Sequence, residues 1–193
     1  MASKKALRLA DAMNPPLIIR FSTPYESGRN NGYVLDIGPK FFLFAIIDDY
    51  QKFNGFQCSR ISDVRGLRVP APYADFYVAA LRKQGQVIHR KPEIDLSSLS
   101  ELLNSAKALF SLITIHRERL RPDECVIGKV LKLSKSKLLL HTIGPDAVWH
   151  ENPSEIRLRD VTRVDFGGGY EESLHLVGGD PKQLKKSKRP RKP

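Results

Sequence analysis

The chain contains the same stretch twice, and this duplication limits the folds that it can adopt. Residues 32–47 align with residues 128–143 without a gap, and both copies share Gly32/Gly128, Val34/Val130, Leu35/Leu131, Leu43/Leu139 and Ile47/Ile143. After one inserted residue, 61–64 falls on 158–161, so that an Asp–Val pair recurs in both copies. A repeat of this length indicates two modules of one architecture, each of about 80 to 100 residues.

Each copy is predicted to begin with a helix. Ser3 is a suitable N-cap for the first helix, in which Ala6, Leu9 and Met13 fall on one face. The prolines of residues 14–16 end it. Ser98 and Glu101 have the spacing of a capping box and predict the second helix.

The segments after each helix are short, apolar and separated by turn residues, which is typical of strands. We predict strands over residues 17–21, 112–116, 127–133, 137–143, 156–158, 161–166 and 170–177. Residues 72–83 instead predict a helix that starts at Pro72, so the two halves are expected to end differently. The fold class predicted is mainly β with helices, as an internal duplication of a helix plus a small bent β-barrel.

These elements predict four parts of the chain. Residues 1–83 form the first module, with an N-terminal helix and an extra C-terminal helix, and residues 84–96 form a linker. Residues 97–178 form the second module, and residues 179–193 form a disordered basic tail.

The order of a helix followed by five short bent strands resembles the Sm-like fold. Residues 32–40, 55–58 and 165–172 also resemble segments of a group of uncharacterised bacterial proteins with two such modules in tandem. The resemblance is one of layout, since the pair of Sm signature motifs is absent from the sequence. It implies a bacterial protein, and RNA as the slightly favoured nucleic acid.

Positive charge is concentrated at the C-terminal end. The chain has a net charge of +11, whereas the part before residue 180 has 25 bases and 20 acids, a net charge of +5. The tail is predicted to bind phosphates through seven bases: Lys182, Lys185, Lys186, Lys188, Arg189, Arg191 and Lys192. Further candidate contacts are Arg82, Lys83, Arg90, Lys91, Arg117, Arg119 and Arg121.

The pattern of reactive residues argues against an enzyme. The five histidines are scattered, and His141 and His150 flank a turn where only a weak metal site is conceivable. Cys58 and Cys125 have no adjacent base in the sequence, and so few cysteines argue against a disulfide framework. We therefore expect no catalytic residue, no metal and no cofactor.

Two hypotheses of function remain from the sequence. The first is a nucleic-acid-binding protein whose partner is RNA or a ribonucleoprotein, with contacts from the tail and from the barrel surfaces. The second is a protein-interaction or oligomerising scaffold that presents sheet edges to a protein partner or to another copy of itself. No apolar run is long enough to span a membrane, so a cytoplasmic protein without a membrane partner is expected in both cases.

Overall fold

The computed structural model describes residues 3–87 and 91–181. Ten antiparallel strands form a single open sheet in the order β5-β1-β2-β3-β4-β10-β6-β7-β8-β9, and four helices accompany it. The prediction of a mainly β fold with helices is confirmed. The strands of both halves share one sheet.

The first half contains, in chain order, α1 (Lys4–Asp11), β1 (Ile18–Ser22), β2 (Asn30–Ile37), β3 (Phe41–Ile47), β4 (Phe53–Arg60), a 3-10 turn (Ile61–Asp63), β5 (Arg65–Arg68) and α2 (Ala74–Lys83). The second half contains α3 (Leu99–Leu109), β6 (Ile113–His116), β7 (Cys125–Leu133), β8 (Lys137–Thr142), β9 (Ser154–Arg157), a 3-10 turn (Leu158–Asp160), β10 (Arg163–Phe166) and α4 (Gly169–Gly178).

The first helix of each half begins where its capping residue predicts. The hydroxyl of Ser3 accepts a hydrogen bond from the amide of Ala6 at 3.2 Å, and that of Ser98 accepts one from the amide of Glu101 at 3.2 Å. Each bond satisfies one of the amides that a helix leaves unpaired at its N-terminus.

The C-terminal segment of the second half corrects one prediction. Residues 170–177 were expected to form a strand, but they lie within α4. Their alternation of apolar residues does not reflect a buried face, because Leu176 and Val177 are exposed and Leu174 is the buried residue of this helix. Leu174 packs against Leu112 and neighbouring residues of the sheet, and this packing decides the conformation. Both halves therefore end in a helix.

The strand order is the same in the two halves. The order β5-β1-β2-β3-β4 of the first half recurs as β10-β6-β7-β8-β9 in the second. The halves join where β4 pairs with β10, with Ser59 opposite Arg163 and Phe56 opposite Phe166. We call this strand pair the internal junction. The segment before α3 also packs inward, because Ile94 and Leu96 are buried in the larger apolar cluster.

Candidate nucleic-acid interface at the internal junction

The structure places the predicted contact residues at separate positions. Residues 182–192 of the tail and Arg90 lie outside the described residues. Arg82 and Lys83 occupy the last turn of α2, whereas Lys91 forms an ion pair with Asp36 near the end of β2. Arg117, Arg119 and Arg121 lie in the turn after β6, where Arg121 pairs with Glu124 at 2.7 Å.

Arg119 is a predicted residue that links the two halves. It extends from the second half to Asp63 of the first, with 2.9 Å between its Nη2 and the Oδ1 of the carboxylate. Its Nε donates a hydrogen bond of 2.8 Å to the hydroxyl of Tyr25. These hydrogen bonds to Tyr25 and Asp63 raise the pKa of Arg119, so its charge is firmly fixed at this place.

Arg60 crosses the internal junction in the opposite direction. At the end of β4, its Nη2 donates to the carbonyl oxygen of Arg159 at 3.1 Å and to that of Val161. Burial and the nearby charge of Arg119 lower the pKa of Arg60. The guanidinium thus fastens β4 to the 3-10 turn of the second half and to the residue that follows this turn.

The two 3-10 turns lie beside the turns that connect β2 to β3 and β7 to β8. The amide of Ile61 donates to the carbonyl of Lys40, and the amide of Leu158 donates to that of Ser136, both at 2.9 Å. Lys5 and Arg65 both donate to the carbonyl of Ser62. These contacts gather seven bases along one set of loops, which we call the basic row: Lys5, Lys40, Arg60, Arg65, Arg119, Arg157 and Arg159.

The basic row retains an excess of positive charge. Asp63 pairs with Arg119, and Asp160 pairs with Arg157 at 2.8 Å and with Arg159 at 3.7 Å. Burial, and then the charge of Arg65, lower the pKa of Lys5. Seven bases paired with two carboxylates leave the basic row with a positive excess, and a positive surface favours an anionic ligand.

A buried ion cluster lies on the other side of the same junction. Arg163 of β10 contacts Glu26 of the first half, Glu118 at 3.3 Å and Asp165 at 3.2 Å. Burial disfavours the charge of Arg163, but the three carboxylates more than offset this effect and raise its pKa. The cluster joins the halves through Glu26 and Arg163. Removing the arginine would leave buried Glu118 without a cation, whereas Asp165 would keep His116, whose Nε2 is 2.9 Å from its carboxylate.

Exposed aromatic side chains beside positive charge can stack on bases, and four candidates for this role have different surroundings: Tyr25, Tyr33, Tyr50 and Phe53. Tyr25 touches the basic row through Arg119. Tyr33 and Phe53 pack against each other, with 6.2 Å between ring centroids, and Tyr50 is exposed in the turn before β4. Tyr25 is therefore the aromatic side chain among these that lies beside the basic row.

His141 and His150 do approach each other. The Nε2 of buried His141 is 2.9 Å from the carbonyl oxygen of His150, and the Nδ1 of His150 is 3.1 Å from the hydroxyl of Thr142. These bonds to main chain and hydroxyl hold both rings in place. Within residues 3–87 and 91–181, no three His, Cys, Asp or Glu side chains group as metal ligands would.

Most of the basic row was missed from the sequence, because its members are spread from Lys5 to Arg159. One signal was present: Arg60 and Arg157 are identical residues at the same place in the repeat, directly before the aligned segments 61–64 and 158–161. Their role depends on the pairing of β4 with β10, which the sequence does not specify.

Comparisons of this chain with protein-family models, with curated proteins and with solved structures found no match. In the described part of the chain, no helix is both long enough and apolar enough to cross a membrane.

Proposed function

We propose that this chain is a non-enzymatic nucleic-acid-binding protein built from two Sm-like modules, with RNA as its favoured ligand. The observation that carries the proposal is the contact of Arg60 with Arg159 and Val161 across the internal junction. It brings the basic loops of both halves into one row, which matches the repeated negative charge of a phosphate backbone.

The layout of the sheet supports the Sm-like part of the proposal. Each half has a leading helix and five strands in one repeated order. This is the layout whose resemblance favoured RNA over DNA. The tail, residues 182–192, adds phosphate contacts in this proposal, while the basic row supplies a path along the loops of both halves. The partner is RNA or a ribonucleoprotein, and no cofactor takes part.

A binding titration tests the proposal. The full chain, a version ending at Val177, and the triple variant Lys40→Ala, Arg65→Ala, Arg159→Ala are titrated with single-stranded RNA and with duplex DNA at several salt concentrations. We expect the triple variant to bind RNA more weakly, and the log–log salt slope to fall by about 2, since each phosphate contact on a single strand contributes roughly 0.7. A matched control removes three exposed lysines elsewhere, at Lys52, Lys107 and Lys132.

The outcomes separate the parts of the proposal. If only the truncated version loses affinity, the tail binds nucleic acid and the basic row does not. If the control and the row variant lose affinity equally, binding is a general effect of net charge. If the full chain binds neither nucleic acid at low salt, the proposal is wrong.

A second candidate function, a protein-interaction or oligomerising scaffold, is favoured by a different observation. β5 and β9 are the outermost strands of the sheet, so each has one edge without a strand partner among the described residues. Such edges accept a further strand from another chain.

A further inference from the structure

The internal junction is formed by β4 and β10 in the middle of the sheet. The strands that correspond to them in the repeat, β9 and β5, are the two outermost strands of the same sheet. In the sheet order, β5 takes the place of β10, and β9 takes the place of β4. The residue positions also correspond, because Leu43 faces Cys58 in the first half and Leu139 faces Glu155 in the second. The outer edge of β9 is therefore the counterpart of the edge through which β4 binds β10.

The arginine clamp of the internal junction recurs at these free ends. Arg157 is the counterpart of Arg60, and at its free end it pairs with Asp160 of its own chain. The counterparts of the two carbonyls that Arg60 binds are those of Ser62 and Val64. Both accept hydrogen bonds from Nη1 of Arg65, at 2.8 Å and 2.9 Å. The carbonyls of Ser62 and Val64 therefore already accept hydrogen bonds from a guanidinium, that of Arg65. In a contact between two copies, Arg157 of the other copy would replace it.

The apolar side chains of the free edge are incompletely buried. Val164 and Phe166 of β10 are at most 1% exposed at the internal junction. Their counterparts Leu67 and Val69 are only partly buried against the core of the first half. A strand added to β5 would cover them as β4 covers Val164 and Phe166.

A third feature concerns the loop above the junction. Glu26 binds Arg163 there. The loop of the second half is two residues longer, so Glu26 corresponds to Leu120 when positions are counted forward from Ile19 and Ile113, and to Pro122 when they are counted back from Gly32 and Gly128. Leu120 is 56% exposed. The counterpart of Arg163 is Gly66, where a Cβ atom would meet only the hydroxyl of Ser22, at 3.8 Å. An apolar side chain and an open space thus replace the ion pair.

We propose that copies of this chain associate head to tail, with β9 of one copy pairing antiparallel to β5 of the next. The register follows from the internal junction: Leu67 lies opposite Glu155, and Arg68 opposite Ser154. At this end β5 pairs with β1 as β10 pairs with β6, whereas the pairing of β5 is irregular towards Arg65. Arg157 leaves Asp160 and takes over the carbonyls of Ser62 and Val64 in the neighbouring copy. This proposal does not depend on nucleic-acid binding.

The contact between copies is weaker than the contact within the chain. Buried Cys58 is replaced by Glu155, which is exposed and pairs with Lys137 at 2.6 Å. Glu155 would lie diagonally from Arg65, within reach of a long side chain. Association is therefore reversible and weakens as salt rises. Because the two surfaces differ, the contact is heterologous, and it builds a ring or an open chain rather than a symmetric dimer.

Disulfide trapping tests the polarity and the register. In a Cys125→Ser background, Arg68→Cys and Ser154→Cys are made as separate proteins, mixed and oxidised. Residues directly opposite in an antiparallel pair have Cα atoms about 4.5–5.5 Å apart, within the range of a disulfide. We expect a disulfide-linked dimer in the mixture, well above the yield of either protein alone. The control for the register replaces Ser154→Cys by Glu151→Cys, three residues earlier in the chain, and mixes it with Arg68→Cys in the same way.

Sedimentation equilibrium of the full chain provides a second measurement. Arg157→Ala should weaken self-association about tenfold, as expected for loss of hydrogen bonds from a charged donor. Lys132→Ala, an exposed change on β7, should leave it unaltered. The proposal is overturned if the full chain stays monomeric at high concentration, or if trapping with Glu151→Cys equals trapping with Ser154→Cys. A dimer formed by Arg68→Cys alone, showing a symmetric contact, would also overturn it.

Discussion

The two halves share a strand order, yet they bury their cores in different ways. In the first half, α1 closes a cluster of first-half residues that includes Leu9, Phe21 and Phe42. In the second half, α3 covers a larger cluster that also contains first-half residues, among them Leu43 and Cys58. The core of the second half therefore extends through the internal junction, so the stability of the second half depends on the first.

The largest expected effect comes from separating the halves. Residues 1–87 keep the first cluster and five strands, so we expect this fragment to unfold cooperatively on heating. Residues 91–181 lose β4, the partner of β10, together with the apolar side chains that complete their core. This fragment should show no cooperative transition by circular dichroism. A cooperative transition of residues 91–181 alone would contradict the shared core.

A smaller effect is expected from breaking the buried ion cluster. Arg163→Met leaves buried Glu118 without a cation and removes the link from Arg163 to Glu26, so it should lower the free energy of unfolding by about 3–5 kcal/mol. Arg157→Met, on the exposed edge of β9, is the matched control and should cost less than about 1 kcal/mol. Urea denaturation measures both. Equal losses would mean that the cluster does not hold the junction together.

The third prediction compares one residue at equivalent places in the repeat. Leu43 is fully buried beside the internal junction, whereas its counterpart Leu139 is half-buried near the free edge. Leu43→Ala should therefore cost about 2–5 kcal/mol, and Leu139→Ala clearly less, because less apolar surface and a smaller cavity are involved. The measurement is chemical denaturation at low protein concentration, where copies of the chain are separate. A loss at Leu139 that matches the loss at Leu43 would remove the distinction between the two edges.

The smallest effect concerns the two thiols. Burial, and then the charge of Asp165, raise the pKa of both Cys58 and Cys125, so both are protonated near neutral pH. Cys125 is exposed and should be alkylated in the native protein. Because the thiolate is the reactive form and the pKa of Cys125 is raised, the alkylation rate should still be rising at a pH where an ordinary thiol is already fully ionised. Cys58 is buried at the internal junction and should react only when the halves separate. Mass spectrometry over time distinguishes one label from two, and a second label as fast as the first would place Cys58 at an accessible surface.

Local signals in the sequence predicted the elements that depend on local interactions. Ser3 and Ser98 cap the helices that they predict, and the helix over residues 72–83 is present as Ala74–Lys83. The strand predicted for residues 170–177 was wrong because its apolar residues alternate, while contacts distant in sequence bury Leu174 alone. The repeat itself favoured a helix there, since Tyr170 aligns with Tyr73 at the start of α2.

Features that depend on long-range pairing were not predictable from local patterns. β4 and β10 are about a hundred residues apart in the chain, and nothing in either segment specifies the other as its partner. The basic row follows from that pairing, so of its seven members only Arg119 was among the residues predicted from clustered charge. Runs of bases indicate affinity for anions, but the positions of single bases around a sheet follow from its topology.

The internal junction limits the number of halves that a head-to-tail ring of this chain could contain. Each chain contributes two modules in fixed order, so a closed head-to-tail ring contains an even number of modules and alternates two kinds of joint. Dilution does not open the joint within a chain, because its two sides belong to one polypeptide and have a high effective concentration. In the head-to-tail assembly proposed above, the joint between chains would open as concentration falls. Concentration would then set the number of chains in the assembly, while the single chain keeps the internal junction.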